Sequence, residues 1–172
     1  TVLPPPPGET CNNPIVATPP TPGVPTVITG TTTGAIPDVT DSCNSTIARS
    51  TGPDHFISLT LTGCRRITMA LDDGTVGSGD MYITVYQDGY CGSHSILCDD
   101  DVSAFEVIWW ETAGQRGTSL NSFVGGELPA GTYIIRVARY GSSSGTYRLT
   151  IHDNGPCGCD IACVGGDQLE AA

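Results

Sequence analysis

"TYIIRVARYGSSSGTYRLTIH", residues 132–152, decides the fold class. Two runs rich in Tyr, Ile, Val, Thr and Leu flank five small residues, 141–145. β-Branched and aromatic side chains suit a pleated surface, and a short Gly/Ser stretch between two such runs makes a hairpin turn. "GSSSG" also has the letters of a nucleophile elbow. An elbow joins a strand to a helix, however, and both flanks here read as strands.

The same pattern recurs upstream. "HFISLTLTG" (55–63) places Ile57, Leu59 and Leu61 on one face, and "RITMAL" (66–71) does the same with Ile67, Met69 and Leu71. "MYITVY" (81–86) turns Met81, Ile83 and Val85 inward, and "FEVIWW" (105–110) turns Phe105, Val107 and Trp109. Gly-, Asp- and Ser-rich turns separate these runs, and no stretch has helical periodicity. Short alternating strands with regular turns predict an all-β, jelly-roll-like antiparallel sandwich.

The ends differ from this middle. Nine of the thirteen prolines lie in residues 1–25, including Pro4 to Pro7. Proline fixes its own torsion and lacks an amide donor, so this segment is expected as an extended arm or edge piece, with a flexible linker as the alternative. The expected organisation is an arm over 1–25, a sandwich over 26–152 and a Cys/Gly-rich tail over 153–172.

Charge excludes some partners. The chain has 18 acids and seven bases, all arginine, for a net charge of −11. Such a surface repels phosphate backbones and anionic membranes, so neither nucleic acid nor membrane insertion is expected, and no run approaches the ~20 apolar residues of a membrane span. Eight cysteines point to disulfides and an oxidising compartment. Cys157, Cys159 and Cys163 lack a Cys-x-x-Cys pair or a neighbouring histidine for zinc. A first residue Thr1 is expected of a processed, secreted chain.

"YCGSHSILCDDD" (90–101) poses the chemical question, because Asp99, Asp100 and Asp101 are adjacent like charges. Between residues 67 and 115 there are nine acids and no base, with Asp72, Asp73 and Asp80 in a second loop. The residues alone leave two readings open: a solvated acidic surface, or loop carboxylates around calcium, which takes six to eight oxygens. EF-hand spacing is absent. Glycoside hydrolysis would need a cleft and one carboxyl of raised pKa, which adjacent turn aspartates do not offer. His55, His94 and His152 are isolated, with no nucleophile partner. Cys91 and Cys98 flank a short turn and are expected to bridge each other, holding the loop before Asp99. Trp110, Tyr82, Tyr86 and Tyr90 are candidate surface aromatics for a ligand, and Asn44 opens an Asn-Ser-Thr glycosylation sequon.

"LPAGTYIIRVARYGSSSGTYRLTI" (128–151) resembles the closing hairpin of the bacterial pre-peptidase C-terminal domain family. "PDHFISLTLTG" (53–63) is similar to that family's opening core strand, and residues 79–101 to its middle strand, cysteine hairpin and acidic loop. "CNNPIVAT" and "TTTGAIPDVTDSC" (within 11–43) are similar to the lead-in of its cysteine-bearing members. The resemblance covers about residues 11–151. It implies a calcium-stabilised, non-catalytic sandwich of secreted proteins, with Asp72, Asp73, Asp80 and Asp99 to Asp101 as metal ligands and a Cys11–Cys43 disulfide. Cys64, Cys157, Cys159 and Cys163 are left without assigned partners.

Without an attached peptidase and with an added arm, the expected function is a secreted structural subunit. Copies of the chain would assemble into an extracellular filament or surface layer by exchanging the arm, the donated segment lying in or before residues 25–35. The alternative is an adhesion module for collagen or polysaccharide. No catalytic constellation is found.

Overall fold

A computed structural model describes residues 4–39, 41–44, 47–74, 79–88, 91, 95–100 and 121–158, with the backbone alone over 41–44 and 47–50. The fold is all-β, and its two sheets pack face to face. The first sheet runs β1 (Ile15–Val16), β5 (Asp54–Leu61), β10 (Gly131–Arg139), β7 (Met81–Gln87), β8 (Ser95–Asp99). The second runs β2 (Thr26–Thr31), β11 (Thr146–Pro156), β6 (Arg65–Asp72), β9 (Ser122–Leu128). β3 (Asp41–Asn44) and β4 (Ile47–Ser50) form a separate hairpin.

Apart from β1, every paired strand is antiparallel to its neighbours. Along β5, β6, β7, β10 and β11 the chain crosses repeatedly from one sheet to the other, which is the jelly-roll-like course expected. The core lies between the sheets, and Ile57, Leu59, Ile67, Met69, Leu71, Ile83, Val85, Leu149 and Ile151 are almost wholly removed from water. At roughly 25 cal/mol per Å² of apolar surface, this interior is the main force holding the sheets together.

The first sheet is buried on its outer face as well. All six residues from Met81 to Tyr86 are buried, as are Tyr133 to Ala138. Phe56, Tyr86 and Ile134 form an outer cluster against which Cys11, Val39 and Cys91 pack. The cover therefore comes from the N-terminal segment and the loop before β3.

That cover is fixed by a buried ion pair. Arg136 Nε donates to Asp54 Oδ2 at 2.7 Å, and both side chains are fully buried. Arg136 also donates to the Val39 carbonyl at 2.7 Å and lies 5.6 Å from the Tyr82 ring centre. The amides of Asp38 and Val39 donate to Asp54. Burial raises the Asp54 pKa above its ordinary value, with the Arg136 charge and these donors opposing it.

The expected strands at 55–63, 66–71, 81–86, 132–139 and 146–152 all stand as β5, β6, β7, β10 and β11. The expected strand at 105–110 lies outside the described residues. β11 continues beyond 152 to Pro156, and its neighbour Cys157 is bonded to Cys64.

Candidate functional site

The first candidate is the seat of the N-terminal arm. Gly8 has φ +92°, a left-handed conformation, and its amide donates to the Asn13 carbonyl at 2.7 Å, closing a loop. The Gly8 carbonyl accepts from Phe56 N at 2.9 Å, so this loop caps the outer edge of β5. An added Cβ at Gly8 would lie 2.9 Å from the Ile15 side chain and would be strained at this positive φ in any case. The Glu9 side chain is buried and accepts from Ile36 N at 2.6 Å. Beyond this loop β1 pairs in parallel with Ile57 and Ser58. Thr21-Pro22-Gly23-Val24 then makes a tight turn, with Gly23 at φ +81°, before β2 joins the second sheet.

A disulfide staples the arm. Cys11 is bonded to Cys91, with Cα atoms 6.2 Å apart. This corrects both expected pairings, Cys91–Cys98 and Cys11–Cys43. Cys98 lies inside β8, opposite Thr84, whereas Cys91 lies in the long connection from β7, against the outer cluster that receives Cys11. Cys98 is disulfide-bonded to another residue. Cys64 and Cys157 are bonded, tying the β5–β6 turn to the end of β11. Cys43 lies on β3, where only the backbone is described, and so does Asn44; Cys159 and Cys163 lie outside the described residues.

The second candidate is the acidic end of the sandwich. Asp72 ends β6 and Asp73 follows it, Asp80 precedes β7, and Asp99 ends β8 with Asp100 following. Leu71 pairs with Ser122 and Ile83 with Asp99, so the strand ends of both sheets meet here. Ser122 Oγ donates to the Met81 carbonyl at 2.6 Å and lies 3.3 Å from that of Asp100, bridging the two sheets. Asp99 Oδ2 accepts from Phe123 N at 2.8 Å, a second bridge.

The bases missing from this stretch of sequence arrive from β10 and β11. Arg148 pairs with Asp72 at 2.9 Å, and Asp72 also accepts from Gly74 N at 2.7 Å. Gly79 is wedged between Asp73 and the Arg139 guanidinium; an added Cβ there would lie 2.9 and 3.0 Å from them. Arginines therefore offset part of the repulsion among these acids. Among the described residues, no three of His, Cys, Asp and Glu are grouped closely enough to hold a metal ion. Asn121, which no sequence pattern singles out, is buried beside Ser122, and among the described residues its Oδ1 has no hydrogen-bond partner. Asp101 lies outside the described residues.

Two candidate ligand-binding aromatics are corrected. Tyr82 and Tyr86 are 0% and 1% exposed, because the first sheet is covered on its outer face. Tyr90 and Trp110, with Trp109 and His94, lie outside the described residues. His55 is on the inner side of β5, with Nδ1 3.2 Å from the Tyr147 hydroxyl. Burial lowers the His55 pKa, opposed by Glu9 and Asp54, and pushes that of Tyr147 up to about 12. Burial also lowers His152. Residues 141–145 form the β10–β11 turn, so the elbow reading has no strand–helix setting.

The described residues define a disulfide-stapled, all-β sandwich with an N-terminal arm laid along its edges. No family model and no curated protein matches the chain. Among solved structures it is similar to the pre-peptidase C-terminal domain of a collagenase from Bacillus anthracis, at 12% identity and a TM-score of 0.42. The match covers 73% of this chain and 86% of that one.

Proposed function

We propose that this chain is a secreted, non-catalytic structural subunit that assembles into an extracellular filament or surface layer by passing its arm to a neighbouring copy. One observation carries the reading: the arm is a separable edge element. It is held by a two-residue parallel strand, the Ala17 amide on the Ser58 carbonyl, Ile15 and Ala17 packed on the core, the loop at Gly8, the Glu9 contact and one disulfide. A neighbour's arm can make each of these contacts equally well, which is the condition for domain swapping. Residues 18–25, with four prolines, would serve as the hinge. The contact is heterologous, so it propagates into a fibre unless its rotation closes a ring.

Exchange has a covalent signature. An arm that docks on a neighbour carries Cys11 to that neighbour's Cys91, so this disulfide would join subunits. The test is to mix isotopically heavy and light chains, refold them together under oxidising conditions, and map the peptides by mass spectrometry. Exchange predicts Cys11–Cys91 peptides with one heavy and one light half. Wholly heavy and wholly light pairs alone would overturn it.

Calcium belongs to the same proposal, with a smaller donor set than the sequence implies. Asp72 is already paired with Arg148. Asp80, Asp100, Asp101 and the buried Asn121 Oδ1 are the donors we propose, completed by backbone carbonyls, a mixture that calcium accepts. The partnerless Asn121 oxygen supports this reading, since a buried amide oxygen without a hydrogen bond is costly.

A further inference from the structure

The second sheet ends in an unguarded strand. β2 pairs with β11 along one side, and among the described residues no strand pairs with its other side. Thr32 N donates to the Gly145 carbonyl, and antiparallel hydrogen bonding alternates from there. Val27, Thr29 and Thr31 therefore turn their amides and carbonyls away from β11. Their side chains are exposed, Val27 by 52%. Proteins usually blunt such an edge with lysine, proline, a bulge or an inward charge. "TVITGT" has none of these, and its register with β11 runs without a shift.

The charge distribution says what fits there. From Thr10 to Pro37 the chain carries no charged residue, although its net charge is −11. Like charge therefore does not oppose contact through this segment, and the charges beside it on the neighbouring strands, Arg148 and Asp72, are paired with each other. Val16 and Val24, 81% and 63% exposed, lie on the same uncharged segment, and Thr26 Oγ1 binds the Thr18 carbonyl to hold its two halves together.

We propose that β2 docks antiparallel on β2 of a second copy, with Thr29 facing Thr29 across a two-fold axis. Val27 then faces Thr31, and two four-stranded sheets become one continuous sheet joined by about six main-chain hydrogen bonds. The contact is self-complementary, so it closes at two copies. It does not depend on arm exchange, because β1 belongs to the other sheet. In an arm-linked polymer it would pair two strands of subunits side by side.

The test is sedimentation of the full chain beside two variants. In Thr29→Pro the lost amide points outward, so pairing with β11 survives while the docking edge is blocked. The double variant Val27→Lys with Thr31→Lys places charge on the same edge and serves if proline disturbs the fold. The proposal predicts a wild-type mass of at least twice 17.8 kDa, halved in a variant whose circular dichroism is unchanged. A monomeric wild type, or a wild-type mass that neither folded variant lowers, would overturn it. Heavy–light Cys11–Cys91 peptides should persist in both variants, which separates failure of this contact from failure of arm exchange.

Discussion

Replacing Arg136 with methionine probes the device that seats the outer cover. Arg136 and Asp54 are both fully buried, and together they hold the backbone of Asp38 and Val39 over the first sheet. Methionine keeps much of the volume but leaves the Asp54 carboxylate buried without its counter-charge. Breaking a buried pair from one side costs about 3–5 kcal/mol. For a domain of this size each kcal/mol is worth roughly 2–4 °C, so Tm should fall by on the order of 10 °C. The pH dependence supplies a sharper test. Asp54 already has a folded pKa above 3.8, and losing Arg136 removes the main influence lowering it. The folded variant then binds a proton at a pH where the unfolded chain does not, so its relative stability rises as pH falls from 7 towards 4. The deficit against wild type should therefore shrink on acidification. Thermal melts followed by circular dichroism at several pH values measure this. A loss below about 1 kcal/mol, or a deficit that grows on acidification, would mean that Arg136 does not neutralise a buried Asp54 carboxylate.

Three further outcomes follow from other parts of the fold. Cys64→Ser with Cys157→Ser opens a disulfide spanning 93 residues, which chain entropy puts at about 4.5 kcal/mol in a denaturant titration, while peptide mapping of the wild type should return Cys64–Cys157 and never Cys91–Cys98. His55 and His152 have folded pKa values below 6.5, so the unfolded chain takes up protons first and stability falls as pH drops from about 6.5 through the folded values; His55→Gln with His152→Gln should flatten that slope in melts between pH 7 and 5. Asn121→Ala, and separately Asp99→Ala with Asp101→Ala, should lower the rise in Tm produced by calcium, in the second variant through Asp101; because the Asp99 carboxylate accepts from Phe123 N, that variant should also lose roughly 1 kcal/mol in EGTA.

The sandwich was legible because its inner face alternates. Ile57, Leu59 and Leu61, and likewise Ile67, Met69 and Leu71, follow the pleat without interruption. β8 and β9 were not legible. "SILCD" reads as the end of a cysteine loop, and "SFVGGEL" contains two glycines, which weaken any strand signal. The covered outer face misled the reading of Tyr82 and Tyr86, since alternation assumes that one side of a sheet meets water. The cysteine pairing failed for a related reason. Proximity in sequence favours Cys91 with Cys98, but a strand and its connection present these residues to different partners. Asp72, Asp73, Asp80, Asp99 and Asp100 lie at strand ends on one side of the sandwich, but the arginines beside them are not legible: Arg139 and Arg148 sit more than 50 residues from Asp73 and Asp72, and no local pattern announces them.

Negative-stain electron microscopy of the purified chain, first in calcium and then in excess EGTA, tests the structural-subunit reading most directly. A calcium-bound, arm-linked polymer gives filaments or sheets in calcium that fray or dissolve when EGTA removes it. Dispersed single particles in both conditions would contradict it.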